Sequence, residues 1–361
     1  MNLENLLIAT AQPEFAQAAL AELRNLDRHC QQREELTPGV LLCESASSGT
    51  LMHKAAVARP IFVRHLAPVQ TIVKLQAGEQ DIATLVQALA GLPAFALLER
   101  GTHFAVQSRL VQNSKTQVTR PYSSGQLNRL LAEAIAEETG AIESVKKPRV
   151  VVSILCTTEK GFLGISTVEE NLSSWPGGAR HFAQTEEQIS RAEFKLLEAL
   201  EVFSIALPVG EEALDLGAAP GGWTRLLLDA GLSVVAVDPA RLDARLTGHP
   251  HLQHYHGYAE NYLEEAIHSG KCFAIIVNDM RMDAREAARL LGRAARCLRQ
   301  DGIVISVFKL PHATREIRPL ANLREALNIL HRHYGLVQVR QLFHNRQEVT
   351  AVAAQPLVRK Q

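Results

Sequence analysis

Asp215-Leu216-Gly217-Ala218-Ala219-Pro220-Gly221-Gly222-Trp223 is the stretch whose reading decides the fold. Just upstream, Ala213–Leu216 is a short apolar run suited to a buried strand. Just downstream, Gly222–Ala230 carries apolar residues at helical spacing. A strand, a loop of small residues and a helix make the unit at which an open α/β sheet takes a nucleotide-like ligand. Glycines let the ligand approach the backbone, and free N–H groups at the helix start attract a carboxylate. The alternative is a tight strand–helix turn with no ligand.

Outward from this loop the pattern is strand–helix alternation, the mark of a doubly wound sheet. Ile189–Phe203 reads as a helix, with Ser190 as N-cap and Glu193 completing a capping box. Ser233–Val237 is a second strand, closed by Asp238, an acid placed to bind two ribose hydroxyls. Phe273–Val277 and Ile303–Phe308 are later strands. Leu336–Leu342, a turn at His344-Asn345-Arg346, and Val349–Ala353 read as a hairpin. The loop lacks Gly-x-Gly-x-x-Gly spacing and has Ala-Pro-Gly-Gly-Trp instead, which favours S-adenosylmethionine over a dinucleotide. The expected cofactor contacts, as resemblance to a known family implies them, are Ser190, Gly217, Ala219, Pro220, Gly221, Gly222, Trp223, Asp238, Tyr258 and Asp279.

Four charged residues sit where such a sheet gathers side chains. Lys195 lies on the helix before the first strand, Asp279 follows the strand Ile275–Val277, Lys309 ends the strand Val304–Phe308, and Glu348 begins the return arm of the hairpin. All but Lys195 then fall at the strand edge that holds the loop. The chemistry they suit is methyl transfer to a hydroxyl, in which the enzyme makes the oxygen nucleophilic and aims it in line. Lys309 is the candidate base; a second ammonium lowers its pKa, while Asp279 and Glu348 hold both amines and oppose that shift. Taken singly, Lys195 reads equally well as a snorkelling lysine, Asp279 as a helix cap and Glu348 as a surface charge.

Together, Lys195, Asp279, Lys309 and Glu348 resemble the Lys-Asp-Lys-Glu tetrad of the FtsJ-like RNA 2′-O-ribose methyltransferases. Ser190–Lys195, Asp215–Thr224, Asn278–Met280, Phe308–Pro311 and Arg340–Thr350 are similar to one branch, the RlmM-type enzymes that methylate a cytidine ribose of 23S ribosomal RNA. The resemblance covers most of residues 145–353 and implies S-adenosylmethionine as cofactor and large-subunit ribosomal RNA as partner. It also implies a ferredoxin-like domain (1–50), a THUMP-like RNA-binding domain (51–170), a linker (171–188) and a methyltransferase domain (189–361). The implied fold class is thus a Rossmann-like doubly wound sheet with a terminal antiparallel hairpin, preceded by α+β domains. After its third strand the family carries an acid near the adenine. Here the stretch is His256-Gly257-Tyr258-Ala259-Glu260, so Tyr258 takes that place, either stacking or leaving the role to Glu260.

The first half alternates too: Leu6–Thr10 and Val40–Cys43 as strands, Glu14–Leu26 as a helix, Ile61–Val73 as β-rich. Asp81–Leu92 and Ser124–Glu138 follow as helices, Phe104–Gln107 as extended chain, and Val150–Cys156 with Phe162–Thr167 as a strand pair. Ser173-Ser174-Trp175-Pro176-Gly177-Gly178 interrupts every periodic pattern and marks a boundary. With 361 residues, two or three domains are expected. Lys+Arg and Asp+Glu are both 38, so any nucleic-acid surface must be a local patch. Candidates are Arg109, Lys115, Arg120, Arg129, Lys146, Lys147 and Arg149, and a stripe of Arg281, Arg285, Arg289 and Arg293; for the stripe, a solvated helix face is the better reading.

The cysteines number five, without Cys-x-x-Cys spacing, and the 14 histidines show no metal-ligand spacing, so neither a disulfide framework nor a metal is expected. No signal peptide or membrane span is read, and a cytoplasmic protein with no DNA or membrane partner is expected. A base-N methyltransferase wants Asn/Asp-Pro-Pro-aromatic after the fourth strand; this chain has Asn278-Asp279-Met280-Arg281. A cytosine C5 enzyme needs Pro-Cys, and no cysteine here follows a proline. The remaining rivals are an RNA-binding or assembly factor that kept the fold without turnover, and a 2′-O-methyltransferase acting on another RNA such as tRNA.

Overall fold

In the computed structural model, residues 3–111, 119–312 and 319–357 are described. The chain divides into two compact units, Met1–Arg180 and His181–Gln361.

The first unit is built on two sheets. β1 (Leu6–Thr10) is buried at every position and lies inside a four-stranded antiparallel sheet with β2 (Gln31–Thr37), β3 (Val40–Glu44) and β4 (His65–Pro68), in the order β2-β3-β1-β4. Its helices are α1 (Ala16–Leu26) and α2 (Ser48–Ala58). Neither β2 nor α2 is read from the sequence. β2 has the polar run QQREELT, tolerated because it is an edge strand with most positions exposed. The β-rich stretch Ile61–Val73 resolves into β4 and β5 (Thr71–Lys74), which go to different sheets. The second sheet runs β5-β9-β8-β6-β7, with β6 (His103–Leu110), β7 (Ile142–Glu143), β8 (Val150–Cys156) and β9 (Lys160–Thr167). β8 is central and wholly buried, which is why its sequence is an unbroken apolar run rather than an alternation. α3 (Gln80–Ala90) and α4 (Ser124–Thr139) close its core through Leu85, Leu89, Leu127 and Leu131. α4 starts in a capping box between Ser123 and Gln126.

The second unit carries one seven-stranded sheet. Its strands are β10 (Glu212–Leu216), β11 (Ser233–Val237), β12 (Leu252–Tyr255), β13 (Phe273–Asn278), β14 (Leu298–Lys309), β15 (Tyr334–Arg340) and β16 (Glu348–Pro356). The order is β12-β11-β10-β13-β14-β16-β15; the first five are parallel and β16 is antiparallel to both its neighbours. α5 (Glu193–Val202), α6 (Gly222–Asp229), α7 (Ala259–His268), α8 (Ala284–Ala294) and α9 (Pro319–Leu330) complete it. The chain moves from β10 outward to β12, then crosses back to β13 on the other side. The ends of β10 and β13 therefore flank the switch point where an α/β sheet opens a ligand crevice. This is the Rossmann-like sheet with a terminal hairpin expected from the sequence.

One local expectation is corrected. α5 starts at Glu193 rather than Ile189, and its N-cap position is Ala192, not Ser190. Glu193 still reaches back: its Oε1 accepts from the backbone N–H of Ile189 at 2.7 Å and of Ser190 at 3.3 Å. That satisfies donors ahead of the helix without a serine cap, and Arg225 of α6 neutralises the same buried carboxylate.

Candidate active site

Strand register brings the site together. Leu216, Asn278 and Ser306 align across β10, β13 and β14, and Lys309 stands directly opposite Glu348 across β14 and β16. Because β16 runs backwards, its first residue reaches the edge where the parallel strands end.

Asp279, one residue beyond β13, receives Lys195 Nζ at 3.2 Å to both oxygens and Lys309 Nζ at 2.5 Å to Oδ1. Glu348 takes the same two amines, Lys309 at 2.9 Å to Oε1 and Lys195 at 2.7 Å to Oε2. Each carboxylate thus faces both ammonium groups, in a closed ring of alternating charge. The side chains are only 16–22% exposed, so water screens the ring weakly. Burial works to lower the Lys309 pKa, but Asp279 and Glu348 outweigh it and hold the amine above its ordinary value. Burial works to raise Glu348, and Lys195 and Lys309 outweigh that, holding it below the usual carboxylate range. The sequence reading sets a second ammonium against the carboxylates; in the structure the effect that opposes the carboxylates at Lys309 is burial, and the carboxylates win.

Beneath the ring lies a polar pair that the sequence reading missed. Asn278 is fully buried; its Nδ2 donates to Ser306 Oγ at 3.0 Å and its Oδ1 accepts from Met280 N at 3.1 Å. This fixes the chain on both sides of Asp279. The signal was present as a lone amide ending the apolar strand Phe273–Val277. Glu198, one helical turn beyond Lys195, was missed as well. Buried at 3% exposure, it accepts from Phe343 N at 2.8 Å, His344 N at 2.9 Å and His344 Nδ1 at 2.8 Å, and so pins the β15–β16 turn that delivers Glu348. Within that turn Asn345 Oδ1 accepts from Leu342 N and Thr350 Oγ1.

The loop after β10 forms a cradle. Gly217 has φ +72°, and a Cβ there would come within 2.1 Å of Met280 Cγ. Gly221 has φ +108° and caps α6. A Cβ on Gly222 would stand 2.4 Å from Ser190 Oγ, so the expected contacts Ser190 and Gly222 adjoin. Ala219 N donates to Asp238 Oδ2 at 3.1 Å and Ala240 N to Oδ1 at 2.8 Å, which ties the loop to the end of β11. Each Asp238 oxygen keeps a lone pair for a hydroxyl. The Ala219–Pro220 bond is cis. Asp215, under the loop, is 2% exposed; burial first, then Asp279 and Asp238, push its pKa up to about 7, although Thr224 Oγ1 donates to it at 2.6 Å.

Two expected contacts sit differently. The Trp223 indole turns into the core and donates to Ala192 O at 2.7 Å, so this residue presents only backbone to the loop. The Tyr258 ring is 65% exposed at the start of α7, where it is open to stacking.

With the loop, the acid on β11 and the charged ring on one sheet edge, comparison with known proteins is informative. Residues 188–319 match the family described as FtsJ-like methyltransferase. The chain is also similar to proteins named ribosomal RNA large subunit methyltransferase M. The one from Halorhodospira halophila is 33% identical over 195 residues, 53% of this chain and 53% of that protein. The one from Hahella chejuensis is 24% identical over 367 residues, 96% of this chain and 89% of that protein. The one from Laribacter hongkongensis is 34% identical over 193 residues, 50% of this chain and 52% of that protein. The chain thus spans about half the length of the first and third of these relatives.

Of the basic residues considered for RNA, several are already paired. Arg129 meets Glu133, Arg285 meets Asp283 and Glu325, and Arg293 meets Glu264, so two of the four stripe arginines are paired. Arg281 precedes α8 and is exposed, as is Arg289. Arg120 donates to Thr157 O, while Lys146, Lys147 and Arg149 are exposed. Lys115 lies outside the described residues. Among the described residues no helix is long and apolar enough to cross a membrane.

Proposed function

We propose that this chain methylates a ribose 2′-hydroxyl of large-subunit ribosomal RNA, at a cytidine of 23S rRNA, using S-adenosylmethionine. The observation that carries this reading is the ring of Lys195, Asp279, Lys309 and Glu348 at the edge beside the Gly217–Gly222 cradle. The relatives' name adds the substrate class.

The glycines and the Asp238 carboxylate fit the cofactor: a close backbone approach, free N–H groups at α6, and lone pairs for a diol. Bound there, S-adenosylmethionine supplies a methyl group activated by its sulfonium. Lys309 is assigned as the base that takes the hydroxyl proton at Nζ. Asp279 and Glu348 fix that amine from two sides, and Lys195, bridging the same carboxylates, spreads their charge so that less of it holds the proton on Lys309. Residues 1–50 as a ferredoxin-like domain and 51–170 as a THUMP-like domain would offer the RNA its first contacts, with 171–188 as linker. The cytoplasm is the compartment that suits this substrate.

The test is to map ribose methylations on ribosomal RNA from cells with and without the protein. Loss of a single 2′-O-methyl group on the large-subunit RNA is expected. An unchanged map contradicts the proposal.

A further inference from the structure

The ring of Lys195, Asp279, Lys309 and Glu348 sets two ammonium groups against two carboxylates, so its charges cancel. The whole chain balances as well, with 38 basic and 38 acidic residues. Neither the ring nor the bulk charge therefore draws in a polyanion. A nucleic-acid strand that reaches the ring needs cations placed beside it.

Three arginines stand there. Arg191 precedes Lys195 by about one helical turn, Arg281 follows Asp279 by two residues, and Arg346 precedes Glu348 by two. Chain geometry puts each Cα within about 7 Å of the Cα of a ring residue. All three are exposed, and none has a side-chain ion pair or hydrogen bond among the described residues. Exposure alone is not the signal, because Arg332, ahead of β15 at the opposite sheet edge, is exposed as well. The signal is that three separate segments each set one guanidinium beside a different member of the ring.

Each carrier segment is also held still. Ahead of α5, Glu193 Oε1 takes the N–H groups of Ile189 and Ser190, and the Trp223 indole donates to Ala192 O. Past β13, Met280 N donates to Asn278 Oδ1, Met282 N donates to Met280 O at 3.2 Å, and Asp283 bridges to Lys309. In the β15–β16 turn, Gln341 is 1% exposed and its Nε2 donates to Asn345 O at 3.0 Å and Arg346 O at 3.1 Å. Long cationic side chains on fixed backbone lose less freedom when they bind than the same side chains on a mobile loop.

A ribose 2′-hydroxyl lies between two backbone phosphates of its strand. Phosphate contacts fix where a strand lies without reading its sequence, and a guanidinium grips phosphate oxygens through two parallel N–H bonds. Aiming the hydroxyl at Lys309 calls for such a grip on both sides of the reacting nucleotide.

We propose that Arg191, Arg281 and Arg346 form a collar that holds the RNA phosphates flanking the acceptor nucleotide, an inference that rests on the proposed function and names the protein side of its substrate site.

The test uses the full chain and large-subunit ribosomal RNA from cells lacking the protein. Steady-state methyl transfer gives KM for RNA, filter binding across salt concentrations gives the slope of log K against log salt, and titration gives S-adenosylmethionine affinity. Arg191→Gln, Arg281→Gln and Arg346→Gln should each raise KM about fivefold and reduce the salt slope by about 0.7, with cofactor affinity kept within about twofold. Arg346→Lys keeps the charge and loses the fork, so it should restore the slope and leave part of the KM defect. Arg332→Gln should match wild type in all three measurements. Collar variants that match Arg332→Gln in KM and in slope overturn the inference. A wild type that binds this RNA without methylating it contradicts the proposed function instead, and the salt slopes, which need no turnover, still judge the collar.

Discussion

Lys309 and Glu348 are direct partners across the antiparallel pair β14–β16, with Nζ 2.9 Å from Oε1. Strand register, rather than loop geometry, therefore sets the position of the assigned base. The carboxylates hold Lys309 protonated above its ordinary pKa, so the amine is the minority form near neutral pH. The single-turnover methyl-transfer rate should rise with pH across the range 6.5–9, about tenfold per unit. A flat profile would remove Lys309 from the role of base.

The same shifts bear on stability. The folded pKa of Glu348 is lowered, so its contribution is present above the unfolded value of about 4.3 and is lost as pH falls through the folded value. The folded pKa of Lys309 is raised, so its contribution is present below about 10.4 and is lost as pH rises through the folded value. Glu348→Gln should flatten the acid side of a denaturant-midpoint profile more than the alkaline side.

Asp215 behaves in the opposite sense. Its folded pKa is raised to about 7, so the folded state binds the extra proton and stability declines between about pH 4 and 7. Asp215→Asn keeps an acceptor for Thr224 and abolishes that decline. At pH 8 it should be the more stable protein, by at most on the order of 4 kcal/mol. A variant less stable than wild type at pH 8 would show that the buried carboxylate is not a cost.

Glu198→Ala removes the acceptor of three hydrogen bonds at the turn that carries Glu348 into place. A loss of roughly 2–4 kcal/mol in unfolding free energy is expected. Methyl transfer should fall while cofactor affinity, set on the other side of β10, stays within about twofold. Glu198→Gln should recover part of both losses. Equal losses of transfer and cofactor binding would mean that the fold as a whole had failed.

Gly217→Ala places a Cβ against Met280 at positive φ. Titration with S-adenosylmethionine should show affinity reduced by about tenfold or more, roughly the effect of one unfavourable contact and one strained residue. Unchanged affinity would place the cofactor elsewhere.

The sheet and the ring were legible because their signals are local. Buried parallel strands read as apolar runs, and Lys195, Asp279, Lys309 and Glu348 sit at strand or helix ends that topology gathers. The α5 start was misplaced because Glu193 satisfies the leading N–H groups without a serine cap, a choice that depends on Arg225 from another helix. Trp223 reads as a ligand contact because it follows the glycines, whereas its indole packs in the core and donates to Ala192 O, a placement set by a partner on another helix. The β2 strand stayed hidden because an edge strand needs no alternation. Asn278 and Glu198 act through partners far along the chain, a relation that spacing cannot reveal.

The central claim is that Lys309 deprotonates the acceptor hydroxyl. The most direct measurement is methyl transfer from S-adenosylmethionine to large-subunit ribosomal RNA by Lys309→Ala, with cofactor binding measured on the same preparation. Transfer should fall by a factor of about 100 or more with binding kept within about twofold. Transfer at the wild-type rate, with binding intact, would contradict the account.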